Sequence, residues 1–256
     1  MAAREVNEVK LRINEAYKVL RGVIHRTPLN RSVTFSRMTG GDVYLKLENL
    51  QKTGSFKVRG AYYAIWKRIR EENIRKCVTA SSGNHAQGVA YAASALGIAS
   101  IVVMPIYTNF YKIEATRGYG AEVVLYGDTY DDAYRKALEI SEEEGVPLIH
   151  PFDDYDVIAG QGTIGVEILE DLEKVDTVVV PVGGGGLISG IAVALKSVRP
   201  EVKVVGVQAE GSPALYRSFK EGRIVETEKI YTIADGTAVK KPGEKTFKII
   251  MELVDD

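Results

Sequence analysis

Three short stretches of this chain carry residues able to do chemistry. The segment "LENLQKTGSFKVRGA", residues 47–61, places Lys57 after a Thr-Gly-Ser turn and beside Phe56, at the mouth of a helix-forming run. Of its three cations, Lys52, Lys57 and Arg59, only Lys57 adjoins a phenylalanine. An amine packed on an aromatic near a helix N-terminus has its charged form disfavoured, and a neutral amine can form a Schiff base with an aldehyde. The segment "TASSGNHAQG" sets Ser81, Ser82, Gly83, Asn84 and His85 between a strand and a helix. Hydroxyls, an amide and an imidazole beside a helix start can bind a carboxylate. The segment "PVGGGGLISG" sets Gly183, Gly184, Gly185, Gly186 and Leu187 between a strand and a helix. Consecutive glycines let backbone N–H groups converge, and the helix N-terminus adds partial positive charge, which together cradle a phosphate. Each stretch alone also has a plainer reading: a solvated lysine, a serine-capped helix, a tight turn.

Taken together they ask for one ligand. The dinucleotide pattern G-x-G-x-x-G fails, because its last position falls on Ile188 or Ser189, and no Walker lysine follows the glycines. A carbonyl compound that carries a phosphate satisfies the amine and the glycine cup, while the Ser81–His85 turn is left for a substrate carboxylate. Pyridoxal 5'-phosphate meets these requirements.

The elements that must position these loops alternate along the chain. The β-branched runs "KCVTA", "SIVVMP", "AEVVLY", "VPLIH", "DTVVVPV" and "VKVVGV" predict buried strands, with an earlier one at Tyr44 to Leu47. Between them lie helix-period segments: "SFKVRGAYYAIWKRIREE", "HAQGVAYAASALG", "TYDDAYRKALEISEEEG", "VIAGQGTIGVEILEDLEK" and "LISGIAVALKSV". In the third, Tyr130, Ala133, Ala137 and Ile140 share one face, and Asp128 or Thr129 is the expected cap. This alternation predicts an α/β protein with mainly parallel sheets flanked by helices, whose ligands sit beyond the carboxyl ends of the strands.

Composition narrows the class. A net charge of −1 gives no reason to expect nucleic acid or an anionic membrane as partner. No apolar run reaches the roughly 18 residues of a membrane span, and the charged, amphipathic start lacks the apolar core of a signal peptide. A single cysteine, Cys77, excludes an internal disulfide and fits a cytoplasmic setting. The four glutamines, against abundant Glu, Lys, Arg, Ile and Val, lean toward a thermophilic source.

Five motifs, "LENLQKTGSFKVRGA", "SSGNHAQGVA", "HPFDDYDVIAGQGTIGVEI", "PVGGGGLISG" and "ADGTAVKKPGE", occur in an order that resembles the threonine dehydratases, with the serine racemases close by. These are type II pyridoxal phosphate enzymes, of tryptophan synthase β-subunit-like fold. The similarity runs from about Thr27 to Lys245. The cysteine and threonine synthases resemble the chain less: they tend to have an acidic residue where Val58 stands and Thr where His85 stands.

The resemblance implies roles. Lys57 would be the Schiff-base lysine and the base for the α-proton, and Ser82 a possible acid/base on the opposite face of the substrate. Phe56 would pack near the cofactor ring, Asn84 would hydrogen-bond its 3′-oxygen, and Gly236 would lie by the ring edge. Gly183 to Gly186 and Leu187 would hold the phosphate. Ser81, Ser82, Gly83, Asn84 and His85 would bind the substrate carboxylate. The implied reaction is α,β-elimination, converting L-threonine to 2-oxobutanoate and ammonia and L-serine to pyruvate. A serine racemase is the alternative enzyme, and a shortened, non-catalytic cofactor-binding protein the alternative of another class. Two domains are expected, a large one from 1–72 plus 151–256 and a smaller one from 73–150 that closes over substrate, in a homodimer. Many relatives have an acidic metal ligand where Gln208 stands; Glu210 is two positions away, and no metal is assigned. Family members also continue past "KPGEKTFKIIMELVDD" with a strand-helix unit and a Ser or Cys for the pyridine nitrogen, so the chain is expected to be a fragment or a short form.

Overall fold

A computed structural model describes residues 2–256, which leaves the first residue of the expected large domain outside the described residues. Helix α1 (Ala2–Leu20) leads to a short antiparallel pair, β1 (Leu29–Arg31) and β2 (Tyr44–Lys46), with α2 (Val33–Thr39) between them. Then follow α3 (Lys57–Glu72), β3 (Lys76–Ala80), α4 (Asn84–Ala95), β4 (Ala99–Met104), α5 (Phe110–Gly118), β5 (Glu122–Leu125) and α6 (Tyr130–Glu144). The last third comprises α7 (Tyr155–Asp171), β6 (Thr177–Pro181), α8 (Gly186–Lys196), β7 (Lys203–Val207), α9 (Ala214–Glu221) and α10 (Glu244–Leu253).

Strands β3, β4 and β5 form a parallel sheet in that order, and β6 pairs in parallel with β7. The period-2 alternation of the first sheet sorts its side chains onto two faces. Val78, Ala80, Ile101 and Val103 pack on Ala133, Ala137 and Ile140 of α6. Val102 and Met104 face Ala86 and Ala90 of α4 and Ile113 of α5. The second sheet buries Val180 and Val204, with Val202 just before β7, against Ile188, Ile191 and Leu195 of α8 and Ile164 and Ile168 of α7. Helix α6 starts at a capping box, Thr129 with Asp132, one of the two caps expected.

The run "VPLIH" is not a full strand. Val78 donates to Pro147 O and accepts from Ile149 N, leaving one bridge, Val78 to Leu148, on the outer edge of β3. Pro147 has no N–H to extend the ladder. What this run does instead is deliver residues 150–153 to the ends of the strands.

Helices α3, α7 and α8 meet backbone to backbone. A Cβ at Gly160 would lie 2.5 Å from Gly60 Cα and 2.6 Å from Arg59 O. One at Gly190 would strike the backbone of Ile158 and Gly162. These contacts seat the first turn of α3, which carries Lys57, directly on α7. Gly160→Ala is expected to lose about 2–3 kcal/mol in chemical denaturation, since the obstructing atoms are main chain and cannot step aside by changing rotamer. An unchanged midpoint would show that the helices separate freely.

Candidate functional site

The three cations of residues 47–61 meet three fates. Lys52 is exposed, its amine 5.6 Å from the ring centre of Tyr91. Arg59 is fully buried and fully answered. Its Nε and Nη2 donate to Glu48 at 2.8 Å each, and Nη1 and Nη2 donate to Glu167 at 2.7 and 3.0 Å. Thr163 Oγ1 accepts a further bond at 3.1 Å, and Lys46 completes the cluster at 2.7 Å from Glu167. Burial works against the Arg59 charge, but the two carboxylates outweigh it and hold the guanidinium protonated.

Lys57 has no such answer. Its Nζ donates to Pro151 O at 2.7 Å and lies 5.4 Å from the ring centre of Phe56. The residue keeps some exposed surface, yet desolvation of the amine lowers its pKa from 10.5 to about 8. A lysine prepared in this way is uncharged in about a tenth of molecules at pH 7.

Around it stand helix starts without caps. Helices α2, α5, α6 and α7 are each capped by the side chain of their N-cap residue, namely Ser32, Asn109, Thr129 and Asp154. Helices α3, α4 and α8 begin at Phe56, Gly83 and Gly185, with no side-chain cap. Their first N–H groups therefore remain available for an anion. Ser81 does not cap α4; its hydroxyl accepts from Gly83 N at 3.3 Å, which shapes the turn. Gly185 adopts a left-handed conformation, φ 98°, before the helical Gly186, and such a reversal gathers successive N–H groups into a concave anion nest.

The sequence-predicted residues come together. A Cβ on Gly88 in α4 would sit 3.1 Å from the Lys57 backbone, so the Ser81–His85 turn and Lys57 share one junction. Gly236 lies beside the Asn84 amide, and Gly183 against the backbone of Thr237. Leu187, on the first turn of α8, packs on the core of the second sheet. At His85 the ring and the backbone have separate surroundings. Its imidazole is buried, Nε2 meets Ile149 O at 3.0 Å, and burial with nearby Lys57 lowers its pKa to about 3. An uncharged ring committed to a carbonyl is no carboxylate clamp; what His85 can offer an anion is its backbone N–H.

Sequence reasoning missed residues 150–153, although "HPFDD" lies inside a quoted motif. His150 Nδ1 accepts from Phe152 N at 3.2 Å and Asp153 N at 2.8 Å, and burial keeps the ring neutral, with pKa about 4. Pro151 O receives Lys57. Phe152 lies over the glycine cup: a Cβ on Gly184 would meet its ring at 2.5 Å. Asp153 receives the first N–H groups of α10.

These features fit pyridoxal phosphate. The cup leaves little room for side chains, the three uncapped helix starts include those of α4 and α8, and a desolvated amine stands beside them with no carboxylate among the described residues to neutralise it. Among the described residues no group of three His, Cys, Asp or Glu side chains is placed to hold a metal ion, and no helix is long and apolar enough to cross a membrane.

Comparison with known proteins agrees. A family model described as pyridoxal-phosphate dependent enzyme matches residues 20–256. An L-threonine ammonia-lyase of Thermotoga maritima is 55% identical over 244 residues, which is 95% of this chain and 61% of that protein. The processed form of threonine deaminase isoform 2 from Solanum lycopersicum superposes with a TM-score of 0.92 at 42% identity, over 98% of this chain and 69% of that one. Maize serine racemase gives 0.92 at 36%, over 96% and 74%. The chain thus spans about three fifths of the length of the ammonia-lyase it matches.

Two pH signatures follow. Folded Lys57 binds its proton only below about pH 8, the unfolded residue below 10.5, so the buried charge costs roughly 3 kcal/mol at pH 7 and the cost fades as pH rises from 8 to 10.5. Without cofactor, Lys57→Met is expected to be the more stable protein at pH 7 and to lose that advantage by pH 10.5; a pH-independent difference in urea midpoints would contradict this. For His150 the window lies lower: the neutral ring contributes fully above pH 6.5, and the contribution drains away as pH falls toward 4. His150→Asn, whose amide oxygen accepts the same N–H groups without titrating, should flatten that part of the acid limb in the same titration.

Proposed function

The chain belongs to the pyridoxal-phosphate dependent enzyme family, and from that premise we propose that it is an ammonia-lyase that converts L-threonine to 2-oxobutanoate and ammonia and L-serine to pyruvate. The observation that carries this reading is the Lys57 amine, desolvated and without a counter-charge at the junction of uncapped helices. Pyridoxal phosphate, when bound, supplies the electron sink for the charge left by the α-proton.

The protein's own part begins with binding. The N-terminus of α8 and the cup of Gly183 to Gly186, with Leu187, hold the phosphate. The N-terminus of α4, with Ser81, Ser82, Gly83, Asn84 and the His85 backbone, orients the substrate carboxylate. Asn84 and Gly236, adjacent in the structure, bound the ring edge, and Phe56 lies by Lys57. Lys57 Nζ, once free, takes the α-proton. A pKa about one above neutrality supports that role, since it leaves a working fraction uncharged and still makes a competent base. Ser82 is assigned the opposite face. The unit 73–150 is read as a lid that closes on the substrate, and ion pairs from it, Lys112 to Asp235 at 2.5 Å and Asp131 to Lys240 at 3.3 Å, would hold it shut. A cytoplasmic homodimer completes the proposal.

With L-threonine and pyridoxal phosphate, the purified protein is expected to release ammonia and 2-oxobutanoate in equal amounts. Lys57→Ala should lower the rate at least about a thousandfold. Recovery of the D-amino acid with neither ammonia nor keto acid would replace the lyase by a racemase. Cofactor binding with no turnover of either amino acid would reduce the chain to a binding protein.

A further inference from the structure

Thr246 is fully buried on the first turn of α10, more than sixty residues from the glycines in sequence, yet its hydroxyl donates to Gly184 O at 2.7 Å. Gly243 N approaches the same oxygen at 3.4 Å. Thr246 is itself held in place: Asp153 Oδ1 accepts from Lys245 N at 2.8 Å and Thr246 N at 3.1 Å, and Oδ2 accepts from Glu244 N at 3.1 Å. Asp153 thus caps α10 from outside, since the helix's own N-cap, Gly243, has no side chain for the task.

A trans peptide points its carbonyl and its N–H in opposite directions. Fixing the Gly184 oxygen onto α10 therefore fixes the Gly185 N–H to point away from α10, at the start of the left-handed nest. Glycine has no side chain to resist rotation of that peptide, so an external brace is what gives the cup a defined shape. We propose that Thr246 is a positioning residue of the phosphate cup, which sets the Gly184–Gly185 peptide so that its N–H faces the anion, with Asp153 placing Thr246. The proposal rests on reading Gly183 to Gly186 as the phosphate site.

The test compares affinity for pyridoxal phosphate with affinity for pyridoxal, which lacks the phosphate, by absorbance titration of the whole chain. Thr246→Val keeps the shape and removes the donor. It is expected to weaken pyridoxal phosphate binding about tenfold and leave pyridoxal binding unchanged, with Thr246→Ser restoring most of the loss. Should the valine variant not fold, Asp153→Asn carries the same comparison and is expected to shift the ratio in the same direction by a smaller factor. Equal losses for both ligands, or no loss for either, would overturn the role of Thr246. A parent protein that does not prefer pyridoxal phosphate to pyridoxal would instead overturn the phosphate reading of the cup.

Discussion

Lys57 and Arg59 stand two residues apart at the start of one helix, and the protein treats their charges in opposite ways. Arg59 is enclosed by Glu48, Glu167 and Thr163, so its charge is kept and its geometry fixed. Lys57 is given one carbonyl oxygen and an aromatic ring, so its charge is made expensive. The contrast is economical in space. A fully compensated arginine anchors the turn, and that anchored turn can then hold an uncompensated lysine without either side chain escaping to water. Removing one carboxylate from the Arg59 cluster would leave a buried cation unpaired, a much larger penalty than any surface pair incurs.

The loop 150–153 collects the consequences of that arrangement. Its residues accept from Lys57, cover Gly184 and cap the helix that braces the cup. His85 and Thr79 both reach the carbonyl of Ile149 just before it, which ties the loop to the parallel sheet of β3 to β5. Amine, cup and the start of α4 are therefore referred to one short segment, and a displacement of the sheet would be felt at all three.

Much of this was legible from residue order. The β-branched runs marked β3 and β4, which are buried on both faces, and also β6 and β7, which are not the buried strands expected, since Val179 and Val207 stand exposed; the glycine quartet announced its turn. Lys57 stood out by its neighbours. Other parts left no local mark. Helix α5 buries only Ile113 and Thr116, too little for a periodic stripe to show. The pair β1 and β2 is three residues a strand, below the length at which alternation is readable. Asp153 looks like any cap, and its partners lie some ninety residues later. His85 beside a glycine-rich turn suggested a ligand, but only the fold reveals that Ile149 O claims its ring.

The backbone contacts between α3, α7 and α8 have a bearing on how such a sequence can change over time. Most protein cores adjust to a substitution by letting neighbouring side chains re-sort, and several combinations fill the same volume. Where Gly160 meets Gly60 Cα and Arg59 O, and Gly190 meets Ile158 O and the Gly162 backbone, the nearest atoms are main chain and cannot re-sort. Lineages descending from this chain can explore the outer strands and loops, but at Gly160 and Gly190 any larger substituent must be met by a shift of whole helices.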